Sequence, residues 1–288
     1  MSPANRLKQV FEQGKVALGA CIDSYSPAVV EVAGYSGLDF VRLDTEYAWR
    51  RDDSLEHMIR AATLVETTPL VRVEKGDRYL ISKALQVGAG AVLVSDIASA
   101  AEAAEVVAAA KFAPKGNRGY STLSYAGKWG TGGTVANSGT VANSGTLADS
   151  GTVAGGGTSA NWATRCNAET LVGVMIENEE IVSQLDEVFA VEGLDFGFFG
   201  PSDYSMALGL GHPQKGHAQV QAAIRRLGQV ARKYNKIAGI GIAAPWQAEA
   251  AAYIDMGYRM LEIGHDLSVL NAAWGTIISE ISGEHTDS

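Results

Sequence analysis

The chain has 288 residues, 47% of them hydrophobic and 19% charged, with 33 Gly, 7 Pro and 2 Cys. That length can bury a large core, so one barrel-sized domain competes with two domains of about 150 residues each. A net charge of -9 repels phosphate backbones and anionic membranes, which argues against nucleic-acid and membrane-surface partners.

Short apolar runs bounded by turn residues predict strands at Val16 to Cys21, Phe40 to Asp44, Leu70 to Val73 and Ala91 to Val94. Four more follow at Leu171 to Ile176, Phe196 to Phe199, Ile237 to Ile242 and Met260 to Ile263. Their near-continuous hydrophobicity suits parallel strands covered on both faces. Helical patterns lie between and after them: Pro27 to Tyr35, Ser54 to Leu64, Tyr79 to Val87, Ala98 to Lys111, Glu179 to Phe189, Ala218 to Tyr234, Ala248 to Met256 and Leu267 to Ile281.

Eight strand and helix units are the count of a closed (β/α)8 TIM barrel, an α/β fold, here read as one domain over residues 1–288. Gly37, Gly88, Gly193 and Gly257 sit where helices should end. The rival is an open doubly wound sheet, but no GxGxxG follows the first strand. The Gly239 and Gly241 pair inside strand seven is read as close backbone packing.

Met1 to Gln13 is polar, and no apolar run approaches the roughly 18 residues that a span requires, so the expectation is a soluble, cytoplasmic protein. Cys21 and Cys166 lack a CxxC partner or a nearby ligand set and read as buried or incidental thiols.

One segment breaks the alternation. From Gly133 the chain reads GTVANS, GTVANS, GTLADS, GTVAGG and GTSANW, ending at Trp162. Residues so small bury too little to order themselves, so 131–162 is expected to be a flexible insertion within the barrel. It is either a tolerated repeat expansion or a lid or subunit-contact arm.

In a TIM barrel the chemistry gathers at the carboxyl ends of the strands. Those ends carry Asp23; Asp44, Glu46 and Tyr47; Arg72 and Glu74; Asp96; Glu177; Ser202 and Asp203; and His265 with Asp266. Acids surrounding one Arg suit a hard divalent cation and an anionic oxygenated ligand, with Glu177 and Asp203 the best pair. Acids at strand ends also serve as helix N-caps, and Arg72 can equally be a structural ion pair with Glu74 or another strand-end acid.

The segments LDFVRLDTEY (38–47), VRVEKGDRYLISKALQVGAGAVLV (71–94), KFAPKGNRGYS (111–121), VGVMIEN (172–178) and DFGFFGPSDYS (195–205) resemble the HpcH/HpaI family of class II pyruvate aldolases. GPSD is similar to that family's G-P-[AS]-D, and Arg118-Gly119 to its RG element. The resemblance implies a barrel whose last helix is exchanged with a neighbour in a homo-oligomer, a trimer or hexamer. It implies Mg2+, or Mn2+ or Co2+, and aldol cleavage of a small-molecule 2-oxo acid through a pyruvate-type enolate. Carried over, Glu177 and Asp203 are the metal ligands, Arg72 is the cation beside the enolate oxygen, and the amides of Gly200, Pro201 and Ser202 help seat the carboxylate.

The sequence departs from that family where its second strand ends in D-x-E-H. The family's His is the general base and is oriented by an Asp on the third of these helices. Here the strand ends Asp44, Thr45, Glu46, Tyr47, and the helix position reads Ala84, Leu85, Gln86. A phenol titrates near 10 and an amide not at all in range, so Tyr47 with Gln86 cannot shuttle a proton as His with Asp does. Tyr47 is expected to donate a hydrogen bond, or to act as a base if the metal and Arg72 depress its pKa. Cys21 replaces the family's Trp, Met175 replaces a Gln, and Asp96 is newly polar. His265 is the one rim imidazole and either a relocated base or a surface residue. His57 lies on a polar helix face, His212 in a turn, and His217 and His285 face solvent.

Two further functions stay open beside the carbon–carbon lyase. One is a metal-dependent decarboxylase or other non-aldol enzyme on the same scaffold; the other is a non-catalytic oxo-acid-binding relative. Trp49, Tyr120, Tyr125 and Trp129 either line an apolar acceptor site or pack the core or an interface.

Overall fold

The structure is a computed structural model that describes residues 5–47, 53–130, 152–153 and 157–282. Eight parallel strands close into a barrel in chain order: β1 (Ala17–Ile22), β2 (Phe40–Asp44), β3 (Thr68–Val73), β4 (Ala91–Val94), β5 (Leu171–Ile176), β6 (Phe196–Phe199), β7 (Ile237–Gly241) and β8 (Tyr258–His265), with β8 pairing back onto β1. The expected TIM barrel is therefore the fold, and four strands run over the expected residues.

Twelve α-helices accompany the strands in the described residues: α1 (Arg6–Glu12), α2 (Pro27–Tyr35), α3 (Ser54–Leu64), α4 (Arg78–Gln86), α5 (Ala100–Ala110), α6 (Ser159–Glu169), α7 (Glu179–Ser183), α8 (Leu185–Ala190), α9 (Pro201–Ala207), α10 (Ala218–Lys233), α11 (Trp246–Met256) and α12 (Asp266–Ser282). The pattern at 179–189 breaks into α7 and α8 at Gln184, whose side chain donates to the Ala98 carbonyl at 3.1 Å. α6 opens at Ser159, inside the last hexapeptide of the repeat. Residues 131–151, 154–156 and 283–288, which include most of the repeat and His285, lie outside the described residues, as does Trp49.

The interior is filled from below. Ala17, Phe40, Leu70, Ala91, Leu171, Phe196, Ile237 and Met260 point into it, and Leu7 of α1 closes the amino-terminal end. Three rings fit only because glycine faces them: a Cβ on Gly19 would lie 2.4 Å from Phe40, on Gly173 2.2 Å from Phe196, and on Gly239 2.6 Å from Phe198. Gly239 thus has the packing role its sequence suggested. Helix α1 is short, and its apolar stripe of Leu7, Val10 and Phe11 hides in a polar stretch. Asn5 caps it and ties it to the barrel through the carbonyls of Gly90 at 2.8 Å and Glu169 at 2.9 Å. At the carboxyl end the same inward positions become polar, and that is the end at which TIM-barrel enzymes carry their chemistry.

Candidate active site

Strand pleating alternates side chains between the two faces, so Arg42 and Asp44 of β2 share the interior face. Both are buried, and they anchor a chain of alternating charge across the barrel. Arg42 forks onto Glu262 of β8, with Nε 2.6 Å from Oε2 and Nη2 2.8 Å from Oε1. Its Nη1 lies 3.2 Å from Asp44 Oδ2, and the same oxygen accepts from Arg72 Nη1 at 3.1 Å. Arg72 Nη2 then meets Glu46. Arg72 is thus paired with strand-end acids from β2, yet its Nε is buried with no hydrogen-bond partner among the described residues.

Glu177 follows β5 and is 7% exposed. Its Oε1 accepts the Asp96 amide at 2.7 Å, whereas Oε2 is buried without a hydrogen-bond partner among the described residues. Burial drives the carboxyl up to about 7; Asp203 and Glu46 add to the shift, and the Asp96 amide and Arg72 oppose it. Glu177 is no N-cap: Asn178 caps α7 by accepting from the Ile181 amide at 2.9 Å. Nor is Asp203, which stands in the first turn of α9 behind Gly200. The Asp203 charge acts on both Glu177 and Tyr47, which brings all three to one end of the barrel.

The Gly200 amide donates to the Ile176 carbonyl at 3.1 Å, so it is not free for a ligand, and Pro201 has no N–H. Of the three amides expected to seat a carboxylate, only that of Ser202 remains. Gly200 contributes room instead: a Cβ there would lie 3.1 Å from Glu177 Oε2 and 3.0 Å from Met175 Cε.

Tyr47 is exposed, with the Arg72 guanidinium 5.1 Å from its ring centre. Its pKa is raised, because burial and the charges of Glu46 and Asp203 outweigh Arg72. Arg72 alone therefore does not depress the phenol, which is the half of that expectation resting on this chain's own residues.

A second polar group stands at the junction of β8 and β1. His265 Nδ1 lies 2.6 Å from Asp23 Oδ2, and the Cys21 thiol donates to Asp23 Oδ1 at 3.2 Å. Donor atoms of Cys21, Asp23 and His265 lie within 4.8 Å of one another, a grouping able to hold a metal ion. The shared hydrogen bond raises the pKa of His265 and lowers that of Asp23. Cys21 is fully buried, and burial pushes its thiol up.

The other described imidazoles lie elsewhere. His57 is 3.5 Å from Asp53 on α3, His212 is exposed, and His217 Nδ1 caps α10. Tyr120 packs with Phe112 and Trp162, Tyr125 stacks under Arg60, and Trp129 is exposed. Arg42 and Glu262 are buried charges facing the barrel interior that sequence reasoning missed. The available signal was period two, since Phe40, Arg42 and Asp44 share one face, as do Met260 and Glu262.

Residues 19–273 match the family model described as HpcH/HpaI aldolase/citrate lyase. The chain belongs to the HpcH/HpaI aldolase/citrate lyase family. It is 32% identical over 270 residues to a hydroxypyruvate/pyruvate aldolase from Pseudomonas aeruginosa, covering 93% of this chain and 89% of that enzyme. A 5-keto-4-deoxy-D-glucarate aldolase from Klebsiella pneumoniae is 29% identical, with 93% of each chain covered. Among solved structures, an HpcH/HpaI aldolase from Desulfitobacterium hafniense DCB-2 superimposes with a TM-score of 0.82 at 24% identity, covering 99% of this chain and 100% of its own; that likeness shows the fold. Named relatives of this family member are thus aldolases.

Proposed function

We propose that this protein is a divalent-metal-dependent carbon–carbon lyase that cleaves or forms a 2-oxo acid through a pyruvate-type enolate. The observation that carries the reading is Glu177 Oε2: a buried oxygen with no hydrogen-bond partner among the described residues, on a carboxyl whose ionisation is resisted by burial and by Asp203. A carboxylate left so costly fits a cation absent from its surroundings, and an all-oxygen donor pair suits Mg2+, or Mn2+ or Co2+. Glu177 and Asp203 would hold that ion, which supplies Lewis-acid stabilisation of negative charge on a keto oxygen.

The chain's own groups supply the rest. Arg72 presents a planar guanidinium whose two terminal nitrogens are tied to Asp44 and Glu46, and its Nε is left to donate to an anionic oxygen. Asp44 fixes that guanidinium and also accepts from the amides of Glu46 at 2.8 Å and Tyr47 at 3.3 Å, holding the strand-end turn. The Ser202 amide and hydroxyl lie at the start of α9, where a substrate carboxylate would meet free N–H groups. Tyr47, protonated, is a hydrogen-bond donor at the open side.

A second reading, decarboxylation of an oxaloacetate-like acid, is favoured by the Tyr47 and Gln86 substitutions, since loss of CO2 produces the same enolate without a base on a hydroxyl. Both readings are tested by incubating the protein with Mg2+ and oxaloacetate and detecting pyruvate. Turnover that disappears in Glu177→Gln is expected; turnover unaffected by that variant, or none with any divalent ion, would refute the enolate chemistry.

A homo-oligomer accompanies this proposal. α12 meets the barrel at β1 and β8, and exposes Leu267, Leu270, Trp274, Ile277, Ile278 and Ile281. Such an apolar helix surface suits burial against a second copy, as in an exchanged last helix. Light scattering should report more than one chain per particle, and one chain for Trp274→Asp with Ile278→Asp.

A further inference from the structure

The side-chain group at the β8–β1 junction is built rather than incidental. On β1 the pairing with β8 advances from Gly19, opposite Glu262, to Cys21, opposite His265: two steps on one strand against three on the other. That is a one-residue register shift, the offset a β-bulge produces, and such offsets re-aim side chains beside active sites. Its cause is local, because Gly264 takes φ +99°, a left-handed conformation that costs a glycine little. In an unbroken β8, Met260, Glu262 and residue 264 would share the inner face and His265 would point outward. The extra residue brings His265 beside Cys21 and within the fields of the interior residues Glu262 and Arg42.

Asp23 is held with equal care. Its amide donates to Asp266 Oδ1 at 2.9 Å, and the Ser24 amide and hydroxyl donate to Asp266 Oδ2 at 3.2 and 2.5 Å. Its own carboxylate takes the Cys21 thiol on one oxygen and His265 Nδ1 on the other. A carboxylate at Nδ1 fixes the tautomer that keeps a proton there, so the lone pair is on Nε2. The His265 side chain is 43% exposed, open to a ligand at the rim.

We propose that His265 Nε2, with Asp23 as its positioning residue, is the base of the reaction, standing at the β8–β1 junction in place of the imidazole missing after β2. The assignment rests on the enolate chemistry proposed above. In the cleavage direction Nε2 takes the proton of the hydroxyl on C4 of a 4-hydroxy-2-oxo acid. The C3–C4 bond breaks, C4 leaves as an aldehyde carbonyl, and the electron pair passes into C2–C3 with charge on the keto oxygen beside Arg72. The imidazolium then returns its proton to C3, giving pyruvate. In reverse, His265 removes a C3 proton from pyruvate.

Two probes separate the base from the enolate-stabilising half of the site. Exchange of the pyruvate methyl protons in D2O needs a base, whereas loss of CO2 from oxaloacetate does not. With Mg2+, His265→Gln should lose about a hundredfold or more of the exchange rate while decarboxylation stays within about threefold, the range expected for removing a general base. Asp23→Asn, which keeps the shape and spoils the tautomer, should also lose exchange, by at least about tenfold.

The pH profile supplies a readout that structural damage would not move. The groups facing His265 are Asp23 and Cys21 from β1 and its end, Arg42 from β2, Glu262 on its own strand and Asp266 at the start of α12. Exchange should rise with pH through a value above the ordinary imidazole range, and Asp23→Asn should move that rise to lower pH. Exchange that survives His265→Gln, or equal losses of exchange and decarboxylation, would overturn the assignment. So would stoichiometric Zn2+ in the purified protein that Cys21→Ser and His265→Gln each remove, since the trio would then be a metal site. Wild-type decarboxylation without exchange would overturn His265 as base alone; the absence of both would overturn the enolate reading with it.

Discussion

The Asp96 amide donates to Glu177 Oε1 at 2.7 Å and leaves Oε2 as the oxygen with no partner among the described residues. Asp96 can do this because its φ of +54° turns the chain left-handed straight after β4 and presents the N–H to the neighbouring strand's acid. The side chain of Asp96, conspicuous in the sequence, is exposed; its backbone makes the contact.

Glu177 gives the metal-free protein a definite pH dependence. Its carboxyl rises from the ordinary 4.5 to about 7 on folding, so the native state holds the proton more tightly than the unfolded chain. The associated stability is full below pH 4.5, is lost as pH climbs to about 7, and is gone above it. The span corresponds to roughly 3 kcal/mol. Thermal melts in EDTA should therefore show Glu177→Gln more stable than wild type at pH 8, with the difference shrinking toward pH 5. Identical melts at both pH values would show that Glu177 is not held in this way.

The Arg42–Glu262 pair predicts a non-additive stability loss. Removing one partner strands a buried charge, so Glu262→Gln should cost about 3–5 kcal/mol in denaturant unfolding. Arg42→Met with Glu262→Met should recover most of that loss, yet still lower turnover, because Asp44 and through it Arg72 lose their brace. Additive losses in the double variant would contradict the pairing.

Gly200→Ala tests the room beside Glu177. The new methyl would sit 3.0–3.2 Å from Met175 Cε and from Glu177 Oε2 and Cβ, closer than ordinary contact, with no backbone strain at φ -101°. Divalent-ion affinity should fall about tenfold, as when groups that support a metal ligand are disturbed. The melting temperature should change little. An unaltered ion affinity would remove Gly200 from the site.

Deleting residues 133–156 should leave the barrel folded, with a melting temperature within a few degrees of wild type. The eight strands pair with one another without any help from that segment. Loss of soluble, cooperatively melting protein would make the repeat part of the barrel's core.

Much of the barrel was legible because its strands are short apolar runs between turn residues. Gly37, Gly88, Gly193 and Gly257, read as helix ends, all take positive φ. Helix α1 was not legible, since the three apolar residues among its seven, Leu7, Val10 and Phe11, reveal a stripe only against the barrel floor. The residue types at the strand ends were legible, and the charges of Arg72 and Asp203 both act on Glu177. The wiring of the site was not, because the Asp96 amide, the Ile176 carbonyl and the register shift at Gly264 are backbone features that no side-chain pattern announces. Arg42 and Glu262 were concealed by the assumption that a barrel strand is apolar throughout, when only its lower layers are.

The central claim is that Glu177 and Asp203 hold one divalent cation. Titration of the metal-free protein with Mn2+, followed by the loss of its free-ion paramagnetic resonance signal, measures this directly. One ion per chain is expected, with binding lost in Glu177→Gln and in Asp203→Asn and retained in Cys21→Ser. No bound ion, or an ion indifferent to Glu177 and Asp203, would contradict the account.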